Sequence, residues 1–261
     1  MDTLQQKQSK ILLIGEICED IYIFGNVDRI SPEAPVPVLK YSSRDIRKGM
    51  AGNVYDNILG MSCNTKIDFW CNKHHKIKKI RYIDEKSKYQ IMRYDIEKSL
   101  QALSESKINN CQSQYNAIVI SDYDKGFLNS QVIETITSKF KNSKIFIDTK
   151  KKDLSCLKNS IIKLNEIESL KSQNRHNSSQ IITTLGARGC EFNDVFYPTA
   201  PVEVYDVCGA GDVFLAALVV RWLETKDLID AIKTANNCAA LSVTKLGCYT
   251  LKRAEYENIR V

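Results

Sequence analysis

The chain has 261 residues, 43% hydrophobic and 26% charged, with 37 Lys and Arg against 31 Asp and Glu for a formal net charge of +6. That is the make-up of an ordinary soluble protein long enough to bury a substantial core. No apolar run approaches the ~18 residues needed to cross a bilayer, which excludes a helical membrane protein.

The first eight residues, Met1 to Gln8, are polar and lead directly into an apolar run, with no apolar signal core. A cytoplasmic protein is the expectation. Ile11–Gly15 is wholly apolar up to its glycine, as a buried parallel strand would be. From Ile21 to Tyr41 the chain is extended and proline-rich, with Pro32, Pro35 and Pro37, and Val36, Val38 and Tyr41 give it β character. Thr65–Cys71 reads as one more strand. Lys78 to Asp95 alternates apolar and polar residues around the turn Asp84–Lys88, a hairpin signal.

Ala117–Ser121, Lys144–Asp148 and Gln180–Thr184 repeat the buried-strand pattern, as does the apolar stretch Ile161, Ile162 and Leu164. Between the strands lie helical stretches such as Leu128–Phe140, whose Val132, Ile133, Ile136 and Phe140 share one face. This β-α-β-α order predicts an α/β fold, a mostly parallel sheet with helices on both faces. The segments near 21–41 and 78–95 break the rhythm. They are expected to form a small antiparallel sheet standing off the main body as a lid, all within one domain spanning 1–261.

Nine cysteines are scattered with no C-x-x-C pair and no metal-ligand spacing, so reduced thiols in or near the core are expected. His74, His75 and His176 sit in polar stretches and read as loop residues. The one dense basic patch, Lys73–Arg81, reads as a solvated face or a site for an anionic substrate. A nucleic-acid partner is not expected from it.

The run Asp206-Val207-Cys208-Gly209-Ala210-Gly211-Asp212 carries the chemistry. The apolar segment Val213–Val220 follows, and a helix apolar all round is a buried one. Its N-terminus then opens at an interior cleft, where unpaired N–H groups and the positive end of the dipole favour an anion such as a transferring phosphoryl group. Gly209, Ala210 and Gly211 would form this anion hole. Asp212, in the first turn, is suited to take a proton from an acceptor hydroxyl. Asp206, at the strand end, is suited to orient a metal or a ligand hydroxyl.

The D-x-x-G-A-G-D run resembles the signature of the ribokinase-like (PfkB) carbohydrate kinases. Arg29-Ile30-Ser31-Pro32-Glu33-Ala34-Pro35-Val36-Pro37-Val38 resembles a stretch of the D-glycero-β-D-manno-heptose-7-phosphate kinases, the kinase half of the bifunctional heptose enzymes of lipopolysaccharide precursor synthesis. Ser121–Gly126 resembles S-D-Y-x-K-G, and Ile147–Lys150 the family's D-P-K strand end. The resemblance covers roughly the whole chain. It implies a three-layer α/β/α kinase with a β lid, using ATP and Mg²⁺ and, in some members, a monovalent cation.

By position, the resemblance implies that Asn165, Glu166, Ile167 and Glu168 form the N-x-x-E element that helps hold nucleotide phosphates, with Glu168 toward Mg²⁺. Thr184 and Gly186 would border the nucleotide, Asn236 would lie near the adenine, and Asp206 would join the nucleotide side. Asp20, Gly49 and Asn53 would bind the sugar, since carboxylates and amides suit a polyol. Arg29, Lys125 and Lys150 are the cations for a sugar phosphate. A homodimer through the lid strands is expected.

The sequence departs from the family at three places. Met50 stands where a second glycine is usual, Glu16 stands where Asp is usual after the first strand, and a helix and strand are missing between Gly60 and the Lys78 hairpin. No H-x-G-H nucleotidyltransferase motif occurs. Three rival readings are a kinase of another sugar or sugar phosphate, a non-catalytic sugar- or nucleotide-binding member, and a nucleic-acid-binding protein resting only on the positive charge.

Overall fold

The computed structural model describes residues 8–73 and 77–260; the polar start Met1–Lys7 and the loop histidines His74 and His75 lie outside the described residues. The elements run β1 (Ser9–Gly15), β2 (Ile17–Ile30), β3 (Pro37–Met50), α1 (Ala51–Met61), β4 (Thr65–Cys71), β5 (Ile77–Asp84), β6 (Gln90–Ile96), α2 (Glu105–Asn109) and β7 (Ala117–Asp122). They continue through α3 (Ser130–Lys139), β8 (Lys144–Thr149), β9 (Ser160–Asn165), α4 (Glu166–Lys171), β10 (Gln180–Thr184), β11 (Gly189–Phe192) and β12 (Val195–Pro198), to α5 (Ala210–Thr225), α6 (Leu228–Ser242) and α7 (Arg253–Ile259).

An eight-stranded sheet has the order β12-β11-β10-β9-β8-β7-β1-β4. It is parallel from β10 to β4, and β11 and β12 close one edge as an antiparallel hairpin. The apolar runs explain its burial on both sides, because successive strand residues face opposite ways. Ile11 and Leu13 of β1, with Ala117 and Val119 of β7, pack against α1, α5, α6 and α7. Leu12 and Ile14, with Ile118 and Ile120, pack on the other face against α2 and α3. The three layers predicted from the sequence are therefore present. α3 begins two residues later than the apolar pattern suggests, because the Asn129 side chain accepts the Val132 N–H at 2.8 Å and caps the helix there.

The lid is a four-stranded sheet in the order β3-β2-β5-β6. Its two hairpins are antiparallel, but the central β2–β5 pair is parallel, from Cys18↔Ile77 to Gly25↔Asp84. This corrects the expected all-antiparallel lid. The cause is continuity: β2 follows β1 after one residue, β5 follows β4, and β1 and β4 are already parallel neighbours. Asn72 locks the two crossings together, accepting the Ile17 N–H at 2.6 Å and donating to the Ile17 carbonyl at 3.2 Å. β4 is the sheet's last strand on the β1 side, where the sequence runs short.

Candidate active site

In an open parallel sheet, ligands bind beyond the carboxyl ends of the strands where strand order reverses. Here the reversal falls at β1, which has β4 on one side and β7 on the other. Beyond those ends stand Gly15 and Glu16, Asp122 and Tyr123, Thr149 and Lys150, and Asn165. Over them opens the N-terminus of α5. Its cap residue Gly209 adopts φ +77°, a left-handed backbone that costs glycine nothing. The Ala210 N–H turns back to the Val207 carbonyl at 3.3 Å, so an anion hole here draws on its neighbours' N–H groups rather than on all three residues equally.

Asp212 is 3% exposed, and both its carboxylate oxygens are held. Asn53 Nδ2, from α1, donates to Oδ2 at 3.1 Å, and the Tyr123 hydroxyl, just past β7, donates to Oδ1 at 2.7 Å. Asn57, one helical turn after Asn53, donates from Nδ2 to Asn53 Oδ1 at 3.0 Å, which obliges the Asn53 amide to face Asp212 with its NH₂. Asn57 is itself fixed by the Leu251 N–H at 3.0 Å. Burial raises the Asp212 carboxyl to about 6, while the Asn53 and Tyr123 hydrogen bonds hold it from going higher. A buried carboxyl ionising in that range is suited to general-base work at neutral pH.

Cations ring this carboxylate. Lys163 of β9 is buried and paired with Asp148 at 2.8 Å, and an added Cβ on Gly211 would lie 2.6 Å from its Nζ, which places the ammonium under the α5 N-terminus. Lys79 and Lys150 approach the Tyr123 ring at 5.5 and 5.4 Å. Arg47 and Arg81 approach the Tyr22 ring at 5.1 and 5.2 Å. Arg81 of β5 forms a buried ion pair with Asp20 on the neighbouring lid strand β2. Asp20 is thus already engaged, by Arg81 and by the Cys248 thiol at 3.3 Å. Gly49 stands opposite Cys18 on β3, where a Cβ would overlap the Asp20 carboxylate.

Met50 has φ +58° and ψ −136°, so its place calls for glycine by backbone geometry. Its side chain is 2% exposed and joins the core cluster of Leu12, Ile14, Cys18 and Ile77. The bulk expected against the sugar is absorbed by the core instead.

On the other side of the α5 N-terminus lies a mostly apolar cleft of about 340 Å³, lined by Thr184, Gly186, Ala210, Gly211, Phe214 and Asn236 among others. Thr184, Gly186 and Asn236 thus line one cleft, and Asn236 also donates to the Tyr197 and Pro198 carbonyls, at 3.1 Å each. A hollow of about 410 Å³ at the opposite sheet end, near Ser9, Thr65 and Arg253, contains none of these residues.

Asn165 and Glu168 form a capping box at the start of α4, with reciprocal bonds of 2.8 Å. Glu166 pairs with Arg188, and Ile167 is exposed at the surface. The remaining oxygen of Glu168 contacts Lys150 Nζ at 2.5 Å. Asp148 Oδ1, buried without a hydrogen-bond partner, lies 3.8 Å from the same ammonium. Two carboxylate oxygens therefore converge on one point that now holds a positive charge. Such a hard-oxygen set fits a divalent cation that keeps waters and phosphate oxygens as its other ligands.

Two expectations are corrected. The Asp206 carboxylate is spent on backbone: Oδ1 accepts the Cys208 N–H and Oδ2 the Gly247 N–H, each at 2.9 Å, so it ties two loops together rather than facing a ligand. Arg29 lies exposed near the tip of the β2–β3 hairpin, nine residues beyond Asp20. At a strand's rise that is about 30 Å along β2, so Arg29 stands with the hairpin tip and not among the residues gathered at the strand ends. Lys125, half-buried beside the site, is paired with Glu97.

Tyr123, Lys163, Arg47 and Arg81 were not singled out from the sequence. Arg81 and Lys79 belong to the basic patch read as a solvated face or an anion site, and Tyr123 lies inside the S-D-Y-x-K-G match, so a signal existed for those three. Lys163 and Arg47 gave none, because their partners are distant in sequence.

Residues 91–254 match the model of the pfkB family carbohydrate kinases. The bifunctional protein HldE of a Nitratiruptor species is 30% identical over 298 residues, covering 95% of this chain and 64% of that protein. The HldE of Campylobacter curvus is 30% identical over 305 residues, covering 97% and 65%. The chain thus spans under two thirds of the length of these curated relatives. Phosphofructokinase-2 from Escherichia coli in complex with potassium superposes with a TM-score of 0.74 at 15% identity, covering 97% of this chain and 98% of that one. Ribokinase from Thermotoga maritima gives 0.66 at 16% identity, covering 96% and 99%. At those identities the likeness is one of fold.

Proposed function

The chain belongs to the pfkB family of carbohydrate kinases, and on that premise we propose that it phosphorylates O1 of D-glycero-D-manno-heptose 7-phosphate with ATP, giving the 1,7-bisphosphate. The observation that carries this reading is the Asp212 carboxylate, buried at the α5 N-terminus and held by Asn53 and Tyr123 within a ring of cations. The likeness to the HldE proteins, together with the Arg29–Val38 resemblance to heptose kinases, supports heptose as the sugar. The ring of Lys79, Lys150, Lys163, Arg47 and Arg81 supports a substrate that already carries a phosphate.

In this mechanism Asp212 accepts the proton of the attacking hydroxyl. The first-turn N–H groups of α5 and the Lys163 ammonium face the charge spreading over the transferring phosphoryl oxygens. The apolar cleft beside Thr184, Gly186 and Asn236 takes the adenosine end of ATP. Glu168 and Asp148 would hold Mg²⁺, which would supply neutralisation of phosphate charge there. The lid strands carry Arg81 over the sugar and exclude water. Exposed Tyr41, Ile46, Met92 and Tyr94 on β3 and β6 support pairing of two copies through the lid, measurable by light scattering.

The test is ADP release from Mg-ATP and the heptose phosphate by the pure protein. Asp212→Asn should lose nearly all of it, and persistent turnover in that variant would sink the mechanism. The Asp20–Arg81 ion pair favours a second reading, a different sugar phosphate, because it engages the carboxylate expected to bind heptose hydroxyls. A panel of sugar phosphates in the same assay separates the two. ATP binding with no turnover anywhere in the panel would instead mark a binding-only member.

A further inference from the structure

The sugar side of the site holds two thiols that the kinase chemistry leaves without a task. Cys208 stands just before the Gly209 cap and Cys248 just after Gly247, 40 residues apart in sequence, yet their Sγ atoms are 3.4 Å apart. Asp206 sets that spacing, since its two oxygens accept the N–H groups of Cys208 and Gly247. Arg47 pins the second loop from the lid, donating to the Leu246 and Cys248 carbonyls at 2.5 and 3.3 Å. The scattered cysteines of the sequence are thus brought together at one point by two anchored loops.

The two sulfurs are not equivalent. Cys208 Sγ is half-buried and accepts from Arg81 Nη2 at 3.3 Å and from the Tyr22 hydroxyl at 3.9 Å. Cys248 Sγ is buried and donates to Asp20 Oδ2 at 3.3 Å. The bond to Cys248 and the Arg81 guanidinium lower the Cys208 thiol below its ordinary range. The bond to Cys208 and burial push the Cys248 thiol far up. Cys208 is therefore the more readily ionised of two thiols in contact at 3.4 Å and Cys248 the one held protonated, the division of labour of an attacking and a resolving cysteine. Asp20, Cys208 and Cys248 lie close enough to hold a metal ion, but the Arg81 cation already occupies their company.

We propose that Cys208 and Cys248 form a redox-active dithiol, oxidised reversibly by a small-molecule or protein disulfide, and that the resulting link closes the sugar side of the site. The Cys208 thiolate attacks one sulfur of the incoming disulfide, whose S–S bond breaks and expels one thiolate. Cys248, giving up its proton toward Asp20, then attacks Cys208 Sγ and expels the second. Counted from the two thiols, the protein loses two electrons and two protons, one of them on ionisation of Cys208, and the reagent leaves as two thiols. Bond formation draws the sulfurs from 3.4 Å to the about 2.05 Å of a disulfide. That movement takes Cys208 off Arg81, fixes the Gly209 cap to the 247–248 loop, and disturbs the Asp20–Arg81 pair. The link needs no substrate; the closure rests on the sugar-kinase reading above.

Oxidised glutathione is the probe, applied to the full chain, with intact mass, a non-reducing peptide map and ADP release followed together. The expected result is a loss of about 2 Da, a Cys208–Cys248 cross-linked peptide and loss of most of the activity, all reversed by dithiothreitol. Cys248→Ser should stop at a single glutathione adduct on Cys208. Sugar phosphate bound beforehand should slow the reaction. Adducts on exposed Cys63 alone, with Cys208 and Cys248 still open to alkylation after denaturation, would overturn the dithiol. A complete link with undiminished ADP release would overturn the closure. If the reduced protein releases no ADP, the kinase reading fails while the peptide map still decides the dithiol.

Discussion

The Tyr123 hydroxyl donates to Asp212 Oδ1 at 2.7 Å, opposite the oxygen that Asn53 holds at 3.1 Å. The two donors fix the carboxylate plane and stabilise its charged form against burial. A hydrogen bond to an ionised group contributes about 1.5–3 kcal/mol, and one pH unit corresponds to 1.36 kcal/mol. Tyr123→Phe should therefore raise the Asp212 carboxyl by about one unit or more. The acid side of the kcat/KM profile should move up by that amount, while turnover well above pH 8 changes less. An unmoved profile in the variant would show that the hydroxyl does not support the base.

The wild-type profile follows from the same carboxyl. Asp212 acts as base only when ionised, and burial lifts it to about 6. Activity should be level above that value and fall about tenfold per pH unit below it. Rates measured from pH 4.5 to 8.5 in one buffer series give the midpoint. A midpoint near 4 would assign the limb to an ordinary exposed carboxylate.

The parts of this arrangement that the sequence displays are those set by local rules. Ile11–Gly15 and Ala117–Ser121 are strands because nothing but a doubly covered sheet suits such runs. Asp212 was legible because a glycine turn before an all-apolar helix leaves few places for that helix to start. The pairs Asp20–Arg81 and Lys163–Asp148 were not legible, since each joins residues whose proximity exists only after the sheet has formed. The parallel lid centre was hidden for the same reason: hairpin signals report only on neighbours in sequence, and β2 meets β5 across the whole first crossover. At Arg29, the segment most like the heptose kinases, sequence likeness and position in the single chain part company. Met50 shows a milder version of this, a residue-level oddity whose cause is a backbone angle.

That angle yields a stability test. Met50→Ala removes a buried side chain, at a cost of about 2–5 kcal/mol, and keeps the positive φ. Met50→Gly removes the same side chain but relieves backbone strain of order 1–3 kcal/mol. The usual preference for alanine over glycine, about 0.5–1 kcal/mol, should be cancelled or reversed here. Urea unfolding of both variants should find the glycine form at least as stable as the alanine form. A clearly less stable glycine variant would mean that Met50 carries no strain.

Glu16, wholly buried at the end of β1, accepts the Tyr123 N–H at 2.8 Å and the Lys125 N–H at 3.3 Å. Burial first, and then the nearby charge of Asp122, raises its carboxyl from 4.5 to about 7. A folded-state value above the unfolded one means that the native state holds the proton more tightly. The associated stability is fully present below pH 4.5 and is lost as pH rises through 7, by an amount on the order of 3 kcal/mol. Asp212, also raised, acts in the same direction over a lower window. Glu16→Gln keeps a carbonyl oxygen for the Tyr123 N–H and cannot ionise. Wild-type unfolding free energy should therefore decline between pH 4.5 and 7 and level off above that, and the variant should decline less and be the more stable of the two at pH 8. Equal slopes would show that Glu16 ionises in the folded protein as freely as in the unfolded chain.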